Sequence, residues 1–278
     1  MAGRRAWRGL SEVQGSIELS IGLIIAGNAF LQGRDIRRFW PESPLFAFCE
    51  SVRFVEAAQG WEAEREKLVA PDPLAWFTGL AEDCRGLRLH AVRRQRVEIE
   101  DWMDVGLVDG GSVWLLETVG SPTPRLWFDD WRFSNGSAAE DKPWSVIYHG
   151  APPTASLPAA ETDLEKVDQE LAAALVAIWA FAQRIDSHFA TSFAEALAML
   201  ERRTSPDPDF LLTLGPTGFL SPQAERILGA CRRAWVFGGM GAWNDGAYEG
   251  IEGDRLTEAL FDRLQTALAA AASSTCAA

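Results

Sequence analysis

The chain has 278 residues, 47% of them hydrophobic and 23% charged, which is enough to bury a substantial core in one domain or two. Its formal net charge of −13 lies wholly beyond residue 100: residues 1–100 carry 14 basic and 14 acidic side chains, residues 101–278 carry 12 and 25. That field repels phosphate backbones and so excludes nucleic acid as a partner, and the run Arg93, Arg94, Arg96 is too small to reverse it.

At the N-terminus Arg4, Arg5 and Arg8 precede an apolar stretch at 19–31 that imitates a signal peptide. Glu18 and Asn28 flank or interrupt the run, and its apolar part is too short for a bilayer. The expectation is a cytoplasmic protein with no membrane partner. Within 16–31, Ile17, Leu19 and Ile21 alternate before the run becomes continuous, the pattern of a strand buried on both faces. Ser43-Pro44 then reads as a cap and first helical residue, with Leu45, Phe48, Cys49, Val52 and Val55 as a helical stripe. A short helix is expected at 61–69, and another from Asp72-Pro73 to Gly86.

From residue 87 the period turns to two. Leu87, Leu89 and Ala91 alternate, Val97 and Ile99 resume in another phase, and VWLLETV at 113–119 follows the turn pair Gly110-Gly111. Residues 126–133 form a further strand, in which Asp129-Asp130 reads as a bulge. Asn135-Gly136 is a turn signal, and Trp144, Val146 and Tyr148 alternate after it. Residues 87–149 therefore predict an antiparallel meander of four or five strands. The segment GAPPTASLPAA at 150–160 is the clearest connector.

Beyond it, Thr162 and Glu165 suggest a capping box before a long helix over 162–186, with Leu164, Val167, Leu171, Leu175, Ile178, Phe181 and Ile185 on one face. A second helix runs to Leu200. Ser221-Pro222 starts a third, and Leu256, Leu260, Leu264 and Leu268 mark a last one from Asp254 into a loose tail that holds Cys276. The predicted fold class is α+β: a central, largely antiparallel sheet flanked by N-terminal and C-terminal helices. Residues 1–150 hold the N-terminal helices and the meander; residues 161–278 form a helical region packed on the sheet, the whole making one compact unit.

The candidate contact residues fall in two places. One is the glycine-rich turn after Trp235-Val236-Phe237, where Gly238, Gly239 and Gly241 permit unusual backbone angles beside Trp243, Asn244 and Asp245. It reads either as a pocket wall or as a turn that lets the tryptophans into the core. The run lacks the P-loop Lys-Ser/Thr pair and the dinucleotide glycine spacing. The other place is the meander, where Asp129, Asp130 and His149, with His90 on a neighbouring strand, have the chemistry of an acid–base pair or an N/O metal site. No HxH or HExxH spacing accompanies them. Trp127 opposes Leu126 and Phe128 in strand parity, which makes it the tryptophan expected on the open face.

Cys49, Cys84, Cys231 and Cys276 are far apart without metal-type spacing, which points to a reduced compartment and to no metal or cofactor. There is no G-x-S-x-G elbow. Twelve tryptophans, the acidic second half and the lack of catalytic motifs favour a non-catalytic module that binds a protein, a basic one by charge. The alternative is a small-molecule hydrolase with its site near the turn 238–241.

Overall fold

The computed structural model of the chain describes residues 12–56, 66–93, 112–133, 142–153, 157, 161–237, 243 and 250–276. It divides into two compact units. A sheet unit takes the described residues from 19 to 157 together with 212–219 and 275–276; a helical unit takes 12–18, 161–211 and the described residues of 220–274.

The sheet has six strands: β1 (Cys49–Glu56), β2 (Lys67–Ala70), β3 (Gly86–Arg93), β4 (Ser112–Val119), β5 (Leu126–Phe133) and β6 (Trp144–Ala151). Their order is β2-β1-β6-β5-β4-β3. The last four form the antiparallel meander that the period-two pattern predicts. β1 then pairs parallel to β6, and the four-residue β2 closes that side antiparallel to β1. With helices before and after this mostly antiparallel sheet in chain order, the fold is α+β. The β5–β6 register runs without a shift from Leu126 opposite Ala151 to Phe133 opposite Trp144, so Asp129-Asp130 forms no bulge in that pairing.

Residues 16–31 are not a strand. They lie in the helix α1 (Glu12–Leu31). Its sheet-unit portion is buried on nearly every side: Leu19, Ser20, Ile21, Leu23, Ile24, Ile25, Ala26, Asn28 and Ala29 are all inaccessible. A helix covered all round carries no polar face, so no 3.6-residue period shows in its sequence. Length is then the better guide, since twenty residues exceed a common strand. Gly27 costs helix propensity, but a Cβ there would stand 2.5 Å from Leu87 Cδ1 and 2.8 Å from Phe77 Cε1, so its bareness sets how closely the helix lies on β3.

The helical stripe expected after Ser43-Pro44 is also corrected. Pro44–Phe46 makes one 3-10 turn, and Cys49–Glu56 is strand β1. Val52 and Phe54 are buried at period two, and Val52 and Val55 are β-branched, which suits a strand. The helix after Asp72 is α2 (Pro73–Leu80), with Asp72 Oδ1 accepting from Ala75 N at 2.8 Å. It stops before Gly86, which opens β3. Of the helix expected at 61–69, residues 67–69 belong to β2, 66 precedes it without regular structure, and 61–65 lie outside the described residues, as do Val97 and Ile99.

In the helical unit α3 (Leu164–Arg184), α4 (Ala190–Leu200), α6 (Pro222–Ala234) and α7 (Ile251–Ser273) bury most of the stripes read from the sequence, Ile185 at the end of α3 is 37% exposed, and the first residues of α5 (Pro208–Leu214) form a helix where none was expected. Val167, Leu171, Leu175, Ile178 and Phe181 are inward on α3, Phe193 and Leu197 on α4, Ile227, Leu228 and Cys231 on α6. Ser221 Oγ caps α6 by accepting from Ala224 N. The cap of α3 is Asp163 rather than Thr162: its Oδ1 accepts from Glu165 N at 3.0 Å and Lys166 N at 3.2 Å. A carboxylate there also meets the positive end of the helix dipole.

Two helix ends are strained in the same way. After α3, Ser187 N donates to Ala182 O and Asp186 N to Gln183 O; after α4, Arg203 N donates to Ala198 O and Arg202 N to Met199 O. Both are the six-to-one and five-to-two bonds of a Schellman end, whose left-handed residue is commonly glycine. Here it is Asp186 at φ 54° and Arg202 at φ 61°. Asp186→Gly relieves that strain and should stabilise the protein by up to about 1 kcal/mol. Urea unfolding would report it as a higher midpoint at unchanged slope.

Candidate functional site

The two faces of the sheet carry different chemistry. On one face Phe54, Trp76 of α2, Trp127 and Tyr148 form an aromatic core. Trp127 is 3% exposed, against the exposure that strand parity suggests. Its strand is covered on both faces, since Leu126 and Phe128 are buried as well. Room for the indole comes from its register partner Gly150, where a Cβ would stand 2.7 Å from Trp127 Cη2 and Cζ3. Tyr148 Oη and Ser20 Oγ of α1 share a hydrogen bond at 3.2 Å beneath this cluster, and burial pushes the phenol well above its ordinary range.

Toward one end of the sheet the same face becomes accessible. Phe133 is 62% exposed and packs edge-on against its register partner Trp144, with ring centroids 5.6 Å apart at 85°. Trp131 meets Trp144 at 6.1 Å and 68°, and Asp129 Oδ2 fixes its indole by accepting from Nε1 at 2.6 Å. Trp144 N donates to the backbone oxygen of Phe48, whose own ring is 44% exposed. Asp129 thus orients an aromatic side chain.

The opposite face carries two sets of Arg, carboxylate and His. His90 Nε2 is 2.8 Å from Glu117 Oε2, and Arg88 Nη1 donates to the same oxygen at 3.3 Å. His149 Nε2 stands 3.6 Å from Asp130 Oδ2, and Arg132 Nε donates to that oxygen at 2.7 Å. The His90 ring, then the Arg88 guanidinium, hold Glu117 below the usual carboxylate range. The His149 ring and the Arg132 guanidinium do the same for Asp130, the arginine being the closer contact. His149 also stacks on Phe128, 5.3 Å between centroids at 19°. Asp130 and His149 are therefore brought together as the sequence reading allows. His90 is not brought to them, because β4 and β5 separate its strand from β6. Its partner Glu117 carries no spacing signal and is found only through the Arg88–Glu117 register. Among the described residues no group of three His, Cys, Asp or Glu side chains is placed to hold a metal ion.

At the glycine-rich turn, Gly238, Gly239, Gly241, Asn244 and Asp245 lie outside the described residues. Trp243 is fully buried in the helical unit, edge-on to Phe189 and Phe193 at 5.7 and 5.4 Å, with Nε1 donating to Thr257 Oγ1 at 2.8 Å. Its backbone N bonds Val236 O at 2.9 Å. Burial pushes the Cys49 thiol up to about 11 and the Cys231 thiol higher still, so both stay protonated at neutral pH. Cys276 is not in a loose tail: it is half-buried against Gly86.

The site residues that sequence reasoning missed are Phe48 and Phe133. Phe48 read as part of a buried stripe. Phe133 closes a strand just before the Asn135-Gly136 turn signal, and that position is the one hint that its ring reaches the end of the sheet.

No family model, no curated protein and no solved structure matches the chain. No helix among the described residues is long and apolar enough to cross a membrane.

The depressed carboxylates make stability acid-sensitive with a definite sign. Each contributes above its unfolded pKa, about 4.3 for Glu and 3.9 for Asp, and the contribution is lost as pH falls through the lower folded value. Glu117→Gln should cost about 1–2 kcal/mol at pH 7 through the weakened charged hydrogen bond. The gap to wild type should narrow as pH drops below 4, measured as unfolding free energy against pH.

Proposed function

We propose that this chain is a non-catalytic interaction module that binds a protein partner, a basic one by charge. The observation that carries the reading is the aromatic group at the end of the sheet: exposed Phe133 packed on half-buried Trp144, Trp131 braced by Asp129, and exposed Phe48 joined to Trp144 through the backbone. Large apolar rings left in water forgo about 25 cal/mol for each Å² of area, and rings held rigid by neighbours bind at low entropic cost. Such groups dominate the affinity of protein interfaces. The 25 acidic against 12 basic residues beyond position 100 favour a basic partner and faster encounter with it.

Cys49 and Cys231 support this reading, since burial raises their thiols and leaves neither as a nucleophile. For a hydrolase site at the glycine turn, the one described residue, Trp243, is a core side chain.

The test compares wild type with Phe133→Ser as bait in lysate from the source cells. Unchanged circular dichroism and thermal midpoint would show an intact fold. A partner recovered by wild type at low salt, depleted as salt rises, and bound about 30-fold more weakly by Phe133→Ser is the expected result, matching a hot-spot loss of about 2 kcal/mol. Equal recovery by both baits would overturn the reading.

A further inference from the structure

On the face of the sheet opposite the aromatic group, β1 and β5 flank β6, and each sends one arginine toward the same carboxylate. Arg132 Nη2 of β5 donates to Glu66 Oε1 at 3.2 Å, and Arg53 Nη2 of β1 stands 4.0 Å from Glu66 Oε2. Register puts both arginines on one face: Arg53 pairs with Ile147 and Arg132 with Ser145, alternate residues of β6. Asp130 fixes the approach of Arg132 by accepting from its Nε at 2.7 Å, which leaves Nη2 for Glu66. One carboxylate therefore lies between two guanidinium groups, with one oxygen toward each.

The pair of guanidinium groups is not matched by what lies between them. Glu66 bonds Arg132, but its contact with Arg53 is beyond hydrogen-bond length. A phosphate group brings about two charges and three acceptor oxygens where Glu66 brings one charge and two oxygens. Its bonds to guanidinium are of the strong, charge-assisted kind. Moving Glu66 aside costs little. The Arg53 and Arg132 side chains are 42% and 49% exposed, and ion pairs in contact with solvent contribute little net stability. Glu66 precedes β2 without regular structure, so its side chain swings out without breaking the ladder. The net charge of −13 opposes any polyanion, which limits the ligand to a single phosphate group.

We propose that Arg53 and Arg132 form a binding site for one phosphate group, free or carried as a monoester on a small molecule, and that Glu66 occupies the site as an internal competitor until the phosphate displaces it. The site stands apart from the aromatic group and does not depend on the partner bound there.

The test is a titration of the ¹⁵N-labelled full chain with inorganic phosphate, and separately with glycerol phosphate, at constant ionic strength. The backbone amide signals of Arg53 and Arg132 follow it. Glu66→Gln removes the competing charge at an exposed position and keeps the side-chain size. The expected result is saturable shifts in wild type, with binding about 10-fold tighter in Glu66→Gln and about 10-fold weaker in Arg53→Gln. Tighter binding of glycerol phosphate than of inorganic phosphate assigns the site to a monoester, and equal or weaker binding assigns it to free phosphate. Binding by Glu66→Gln no tighter than by wild type overturns the proposal, as does undiminished binding by Arg53→Gln. Should circular dichroism show that Arg53→Gln does not fold, the comparison of Glu66→Gln with wild type decides alone.

Discussion

The side-chain amide of Asn28 holds the far edge of the sheet. It is buried on α1, and its Oδ1 accepts from Leu87 N at 2.7 Å while its Nδ2 donates to Leu87 O at 2.9 Å. One side chain thus satisfies both outward backbone groups of an edge-strand residue, as a neighbouring strand would. Nδ2 also donates to Thr275 Oγ1 at 2.9 Å, and Gln32 Nε2 donates to Thr275 O at 2.6 Å. Helix, strand edge and C-terminal segment are therefore joined through one amide. An open edge invites pairing with other chains. Here the first paired residues of β3 are covered by polar bonds and by Cys276 over Gly86.

Much of the remaining architecture depends on that seating. α1 can be apolar all round because its sheet-unit portion is enclosed, and Gly27 brings it against Leu87 and Phe77. The same layer places Ser20 on Tyr148 and closes the aromatic core around Phe54. Among the described residues the sheet is covered where α1 and α2 lie on it, and Phe133 at its other end is exposed. The polar chemistry of the opposite face is internally matched: Glu117 and Asp130 each hold an arginine beside a histidine.

The meander was legible in the sequence because period-two alternation marks Leu87–Ala91 and Trp144–Tyr148 and β-formers fill 113–119 and 126–133, while the turn signals Gly110-Gly111 and Asn135-Gly136 lie outside the described residues. Helices α3, α4, α6 and α7 were legible because each keeps a polar face, so the Val167–Phe181 stripe and the Ser221 cap fall where the pattern places them, whereas the seven-residue α5 is too short to show a period. α1 was not legible, since a buried helix has no amphipathic period to read. β1 was hidden by apolar residues that happen to fall at helical spacing, although β-branching at Val52 and Val55 argued for a strand. Of the candidate site, Asp130 with His149 was legible as chemistry on nearby strands. The burial of Trp127 was not, because the space above Gly150 exists only once the β5–β6 register is known. The pairing of Glu117 with Arg88 and His90 was hidden for the same reason, since it depends on the β3–β4 register.

The most direct test of this account is native-state hydrogen exchange at the Leu87 backbone amide. If the Asn28 amide holds that strand edge, Leu87 exchanges only through global unfolding, with the same opening free energy as the central strands β5 and β6. Exchange at Leu87 orders of magnitude faster, at the rate of an unprotected edge strand, would contradict the claim that Asn28 fixes the edge of the sheet.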